Sequence, residues 1–246
     1  MAHAPSPPAW PSSSAALRGR WGRPTSRAEL WVCQLGTWEY RAAVELQERL
    51  RAQRQADQIP DVLLLLEHWP VYTRGRRTQA SELPMGEDWY RGQGVDVVAT
   101  DRGGRLTYHG PGQLVGYPIM RMTDVVAYLR KMEAAIVSAL ADDSVAAEVR
   151  PGLTGVWTGE RKIASIGVHV ARGVTTHGFA VNVSNDLQPF SWVLPCGLEN
   201  VQMTSVSRET GRPSALPCFR RRMAWRFSEV HGRRQRLVSP ARLGAG

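Results

Sequence analysis

Little sulfur, almost no lysine and no long apolar run mark this 246-residue chain. Its three cysteines, Cys33, Cys196 and Cys218, are far apart and form no C-x-x-C pair, which argues against a disulfide scaffold and a thiolate zinc site. The longest aliphatic run is Val62-Leu63-Leu64-Leu65-Leu66, whereas a membrane-crossing helix needs about 20 apolar residues. The first 28 residues hold no acid and none of the apolar h-region that a secretory signal carries. The composition therefore predicts a soluble protein of a reducing compartment, with neither membrane nor metal as partner. The cytoplasm is the expected compartment, although the Arg- and Ser-rich, acid-free residues 1–28 would also suit an organelle transit peptide, a reading ranked below a plain tail.

Lysine is the more telling scarcity. Of 31 basic residues, only Lys131 and Lys162 are lysine. Arginine is effectively never deprotonated, whereas lysine can pass a proton, so a lysine kept in such a chain invites a chemical question. The net charge of +9 sits at the ends. Residues 1–28 carry four arginines and no acid, and residues 212–246 carry nine arginines and one glutamate, which leaves 29–211 at −3. A nucleic-acid-binding domain would carry its basic stripe on the fold itself, so no nucleic-acid partner is expected.

The Pro-, Ser- and Arg-rich residues 1–28 read as a disordered tail, residues 29–232 as one domain, and residues 233–246 as a second, basic tail. Within the domain the patterns predict a strand at 30–35, an amphipathic helix at 39–56 and a buried strand at 61–67. A long polar connection at 73–94 should follow, then a strand at 95–99 and an extended segment at 114–119. A helix should run from Thr123-Asp124 to about Leu140. Strand-like runs at 155–158, 162–170 and 177–183 come next, the first two joined by a hairpin turn at Gly159-Glu160. Hairpins mixed with helix-separated strands predict an α+β fold with a mixed β-sheet and flanking helices.

Three segments carry candidate chemistry. The first, Arg102-Gly103-Gly104-Arg105-Leu106-Thr107-Tyr108-His109-Gly110-Pro111-Gly112-Gln113, packs four glycines among polar side chains, so its backbone can approach a ligand closely. It matches neither a P-loop nor G-x-G-x-x-G. In the second, Leu194-Pro195-Cys196-Gly197, a turn would present the thiol. In the third, Lys162 opens the strand Lys162-Ile163-Ala164-Ser165-Ile166-Gly167. A lysine facing a cysteine would make a Cys–Lys dyad, in logic like Cys–His. His169 and His177 are too few for a metal site.

R-G-G-x-x-T-Y-H-G-P-G-Q, R-K-I-A-S-I-G, T-H-G-F-A-V-N-V and P-C-G, in that order, resemble the signature of the lipoyl(octanoyl) transferases over roughly residues 30–212. The resemblance implies the biotin/lipoate protein ligase fold. It also implies octanoyl transfer from octanoyl-acyl carrier protein to a lysine of a lipoyl domain, on 2-oxoacid dehydrogenase E2 subunits or the glycine cleavage H protein. Cys196 would be the acyl-accepting nucleophile and Lys162 its acid/base partner. Arg102, Gly103, Gly104, Arg105, Leu106, Thr107, Tyr108, His109, Ser165, Ile166, Gly167, Gly178, Phe179 and Ala180 would line the acyl pocket. The octanoyl group would arrive on the carrier's phosphopantetheine, with no ATP and no metal. His109 is a candidate oxyanion donor. The Arg-rich ends, with Arg74, Arg76 and Arg77, would steer acidic partners. Pro213, Pro217 and Arg220-Arg221-Arg222 are expected to interrupt the C-terminal helix usual in this family. An ATP-dependent lipoate or biotin ligase, a non-catalytic binding protein and a cysteine hydrolase remain as alternatives.

Overall fold

The computed structural model describes residues 28–193 and 201–245. Its first unit is β1 (Glu29–Trp38), α1 (Tyr40–Gln55) and β2 (Asp61–His68). The Glu39 carboxylate accepts the Ala42 N–H at 2.7 Å and caps α1. Because a helix returns the chain across the sheet, β2 pairs with β1 in parallel. The remaining elements are β3 (Val71–Arg74), α2 (Glu87–Gly92), β4 (Asp96–Ala99), β5 (Thr107–His109), β6 (Gln113–Ile119), α3 (Val125–Ala141), β7 (Glu148–Arg150), β8 (Leu153–Thr158), β9 (Arg161–Ala171), β10 (Val174–Asn182), α4 (Val206–Thr210), α5 (Leu216–Val230) and β11 (Arg234–Leu237).

The main sheet runs β11-β1-β2-β6-β10-β9-β8-β7 and is mixed: β1 pairs in parallel with β11 and β2, and the other neighbours are antiparallel. Strand β2 shows why the aliphatic run exists. Leu63 and Leu65 pack on one face with α3 and α5, while Val62, Leu64 and Leu66 pack on the other with Ala43, Leu46 and Leu50 of α1. A strand buried on both faces must be apolar at every position, and each buried leucine contributes about 2 kcal/mol. The predicted α+β class with a mixed sheet and flanking helices is the observed one.

Two regions differ from the sequence reading. The 73–94 connection is not a polar loop: β3, α2 and a 3-10 turn at Ala80–Glu82 fold inside it. They build a second sheet, β4-β3-β5, whose core is aromatic. Tyr72 meets Tyr90 at 5.1 Å and Tyr108 at 5.5 Å, and Tyr108 meets Phe190 at 5.4 Å. The strand expected at 95–99 is β4, whereas β3 and β5, of four and three residues, leave too short a period to read.

The second difference lies at the C-terminus. The described residues 233–245 of the expected basic tail 233–246 are folded. Strand β11 pairs with β1 at the sheet edge, and Leu243 and Ala245 are buried on the α1 side. Helix α5 is continuous over 15 residues, because Pro217 falls in its first turn, where a missing N–H costs nothing. Residues 1–27 of the N-terminal tail lie outside the described residues.

Candidate active site

One cavity, of about 360 Å³, gathers residues from both sheets. In the β9–β10 ladder Ser165, Ile166 and Gly167 stand opposite Ala180, Phe179 and Gly178. These two short motifs, distant in sequence, thus form one wall of paired backbone, and all six residues line the cavity. The glycine-rich loop forms the facing wall through Arg102, Gly104, Arg105, Leu106, Thr107 and His109.

Two residues of the predicted pocket are elsewhere. On β5 the side chains alternate, so Thr107 and His109 line the cavity while Tyr108 turns into the aromatic cluster behind it. Gly103 does not line the cavity either; its N–H donates to the Val168 carbonyl at 2.9 Å and ties the loop to β9. Sequence reasoning missed Tyr40, Arg77, Tyr117, Leu153, Trp157 and His177. Only His177 had a signal, its place beside Gly178 in T-H-G. Tyr40 opens α1, Arg77 was expected only to steer partners, and the rest come from strands and turns whose sequences look ordinary.

The loop is held from below. The Arg102 side chain is buried and donates to the Thr73 carbonyl and hydroxyl, at 2.5 and 2.7 Å. Glu82, 2% exposed, accepts the Leu106 N–H at 3.1 Å and Arg105 Nη1 at 2.9 Å. Its carboxylate therefore fixes both the loop backbone and a cavity arginine.

Lys162 is 4% exposed and lines the cavity. Its N–H donates to the Gln202 carbonyl at 2.8 Å, and its carbonyl accepts from Thr204 at 3.0 Å. The side chain lies over β8, with Nζ 5.6 Å from the Trp157 ring centre. Gly155 makes that path possible: a Cβ there would stand 2.8 Å from Lys162 Cε and 2.7 Å from the Ala164 carbonyl. Cys196 lies outside the described residues. Cys33 is sealed in β1, and burial pushes its thiol up to about 11, so it is inert.

Histidines shape the polar wall. The Asp101 carboxylate accepts from His177 Nε2 and meets His169 Nδ1, both at 2.8 Å. The His177 hydrogen bond holds that carboxyl near 2. His177 Nδ1 is buried with no hydrogen-bond partner among the described residues. His109 is held neutral by burial, its pKa pulled down to about 3, and His68 beside it to about 4. His109 Nδ1 meets Gln113 Oε1 at 2.7 Å. Gln113 Nε2 lies 3.1 Å from the Tyr108 carbonyl, which can only accept, so the amide nitrogen is on that side. Its oxygen must then accept from His109, which places the proton on Nδ1. A neutral ring with that proton offers a lone pair, not an N–H, at Nε2, so His109 is not an oxyanion donor.

Among the described residues no group of three or more His, Cys, Asp or Glu is placed to hold a metal ion, and no helix is long and apolar enough to cross a membrane.

A mixed sheet with helices on both faces is the fold of solved lipoate protein ligases. The family model for the lipoyl protein ligase A/B catalytic domain matches residues 39–228. Lipoate-protein ligase A bound with ATP superposes with a TM-score of 0.72 at 18% identity, covering 87% of this chain and 89% of the other. A bipartite archaeal lipoate protein ligase from Thermoplasma acidophilum gives 0.68 at 21% identity, over 87% of each chain. The chain belongs to the lipoyl protein ligase A/B catalytic-domain family. Within it, the chain is 46% identical to the octanoyltransferase of Rubrobacter xylanophilus over 211 residues, 84% of this chain and 96% of that one. It is 52% identical to that of Solibacter usitatus over 169 residues, 67% and 77% of the two chains. These relatives place it on the acyltransferase side of the family.

Proposed function

We propose that the chain transfers an octanoyl group from octanoyl-acyl carrier protein to a lysine of lipoyl domains, through a thioester on Cys196. The acceptors would be 2-oxoacid dehydrogenase E2 subunits and the glycine cleavage H protein, in the cytoplasm. The observation that carries this reading is the buried Lys162 in the wall of the cavity, in a chain so similar to octanoyltransferases.

In the first step Lys162 takes the Cys196 thiol proton and the sulfur attacks the thioester carbonyl of the carrier. A C–S bond forms, the old one breaks, and the pantetheine thiolate leaves and is protonated. One thioester replaces another, so the exchange is nearly isoenergetic and needs no ATP and no metal. In the second step an amine attacks the acyl-enzyme; a C–N bond forms, the C–S bond breaks with its electron pair on the Cys196 sulfur, and Lys162 passes the amine proton to that sulfur. A thioester acylating an amine runs downhill. Leu106, Ile166 and Phe179 give the acyl chain an apolar lining, at about 0.8 kcal/mol per methylene buried.

The purified chain, octanoyl-acyl carrier protein and a lipoyl domain, with ATP omitted, should yield octanoylated domain by mass. A reaction that starts only with free octanoate and ATP would favour the ligase reading instead.

A further inference from the structure

The cavity holds a hydrogen-bonding bias that the two-step scheme does not use. A chain of amides fixes it from a backbone anchor at each end. Asn182 Nδ2 donates to the Thr204 carbonyl at 2.9 Å, so Asn182 Oδ1 accepts from Gln113 Nε2, also at 2.9 Å. Gln113 Nε2 spends its other proton on the Tyr108 carbonyl, and Gln113 Oε1 takes the His109 Nδ1–H. Both ends of this chain are carbonyls, so no amide can be reversed without two oxygens meeting. His109 Nε2 therefore presents a lone pair, and it has no hydrogen-bond partner among the described residues.

Tyr117 repeats the pattern. His68 Nδ1 lies 2.9 Å from the Trp38 carbonyl and must donate to it, so His68 Nε2 accepts the Tyr117 hydroxyl proton at 2.7 Å. Tyr117 lines the cavity, and its oxygen keeps only acceptor capacity. The two residues that carry these acceptors both line the cavity.

We propose that His109 Nε2 and Tyr117 Oη form the subsite for the acceptor lysine, admitted as the neutral amine and oriented by its N–H groups. The inference rests on the transferase reading above and names which of its two substrates this wall serves. An amine has N–H groups to give; a thioester has none at its reacting carbon. Only the neutral amine carries the lone pair that attacks, so lysine sheds one proton to solvent before it enters. His109 then holds one N–H while the nitrogen lone pair attacks the acyl carbon. The C–N bond forms, the C–S bond breaks with its electron pair on sulfur, and the surplus amine proton reaches that sulfur through Lys162. His109 takes up no proton.

Two measurements test this. In the intact protein labelled with ¹⁵N-histidine, with His109→Gln used to assign the signal, the His109 ring should carry its proton on Nδ1. A proton on Nε2, or on both nitrogens, overturns the proposal. In single-turnover kinetics, His109→Ala should slow transfer from the acyl-enzyme to a lipoyl domain at least tenfold more than it slows acyl-enzyme formation. Tyr117→Phe should show the same bias. Equal slowing of both steps would make His109 a structural or oxyanion group and overturn the proposal. A wild-type chain that forms no acyl-enzyme would instead remove the transferase reading, whatever the tautomer.

Discussion

Lys162 reaches the cavity only because residue 155 has no side chain. Gly155 sits at φ +129° on β8, and an added methyl would press on Lys162 Cε and on the Ala164 carbonyl. A displacement of about 1 Å at a reacting group can cost on the order of 100-fold in rate. Gly155→Ala should therefore lower turnover by roughly that factor while the chain still folds, with a backbone cost of about 1–3 kcal/mol. Steady-state kinetics beside a thermal melt check this; unchanged turnover would mean that the lysine's path over β8 is unimportant. At this scale the sequence was legible where chemistry is scarce: one of two lysines marked the site, and the glycine-rich string marked its wall. Tyr117 and Trp157 were illegible because nothing in an ordinary strand says which neighbour it will face. Tyr108 was read into the pocket because its neighbours are there, although strand alternation turns it away.

At the scale of elements, the central strands and the long helices α1 and α3 could be read from hydrophobic period. Of the second sheet only β4 could, as the strand expected at 95–99; β3 and β5, four and three residues long, could not. The C-terminal strand was hidden by its charge. Arg234, Gln235 and Arg236 look like a tail, yet an edge strand is where charged side chains are tolerated, and β11 caps the sheet beside β1. Just before it, Arg233 Nη2 reaches the buried Asp61 carboxylate at 2.7 Å, which Arg54 Nε also meets at 2.8 Å. Deleting residues 233–246 removes one partner of a buried carboxylate and exposes the β1 edge. It should cost about 3 kcal/mol or more, measured as the midpoint of chemical unfolding. A true tail would come off without effect.

For the whole molecule, charge does two different jobs. Most C-terminal arginines were expected to steer partners, but they clamp the fold: Arg220 pairs with Glu67, Arg222 with Asp143 and Arg226 with Asp142. Arg74 is likewise paired, with Glu87. Arg76 and Arg77 are exposed and form no ion pair among the described residues, so steering would fall to them. The histidines set the response to acid. Burial holds His68 and His231 near 4 and His109 near 3, below the ordinary value of 6.5. Their contribution to stability is complete above pH 6.5. Below it the unfolded chain binds protons that the folded chain refuses, so stability falls by roughly 1.4 kcal/mol per pH unit for each histidine until the folded values are reached. The melting temperature should drop steeply between about pH 6 and pH 4. A flat profile there would contradict the buried, neutral histidines.

In the proposed transfer an octanoyl group would rest on Cys196 between donor and acceptor. Intact-protein mass spectrometry after incubation with octanoyl-acyl carrier protein, with no ATP and no acceptor, addresses it directly. A single octanoyl adduct, labile to hydroxylamine, is expected to map to Cys196 and to disappear in Cys196→Ser. Wild-type protein of unchanged mass beside an intact carrier thioester, or an adduct on another residue, would contradict it.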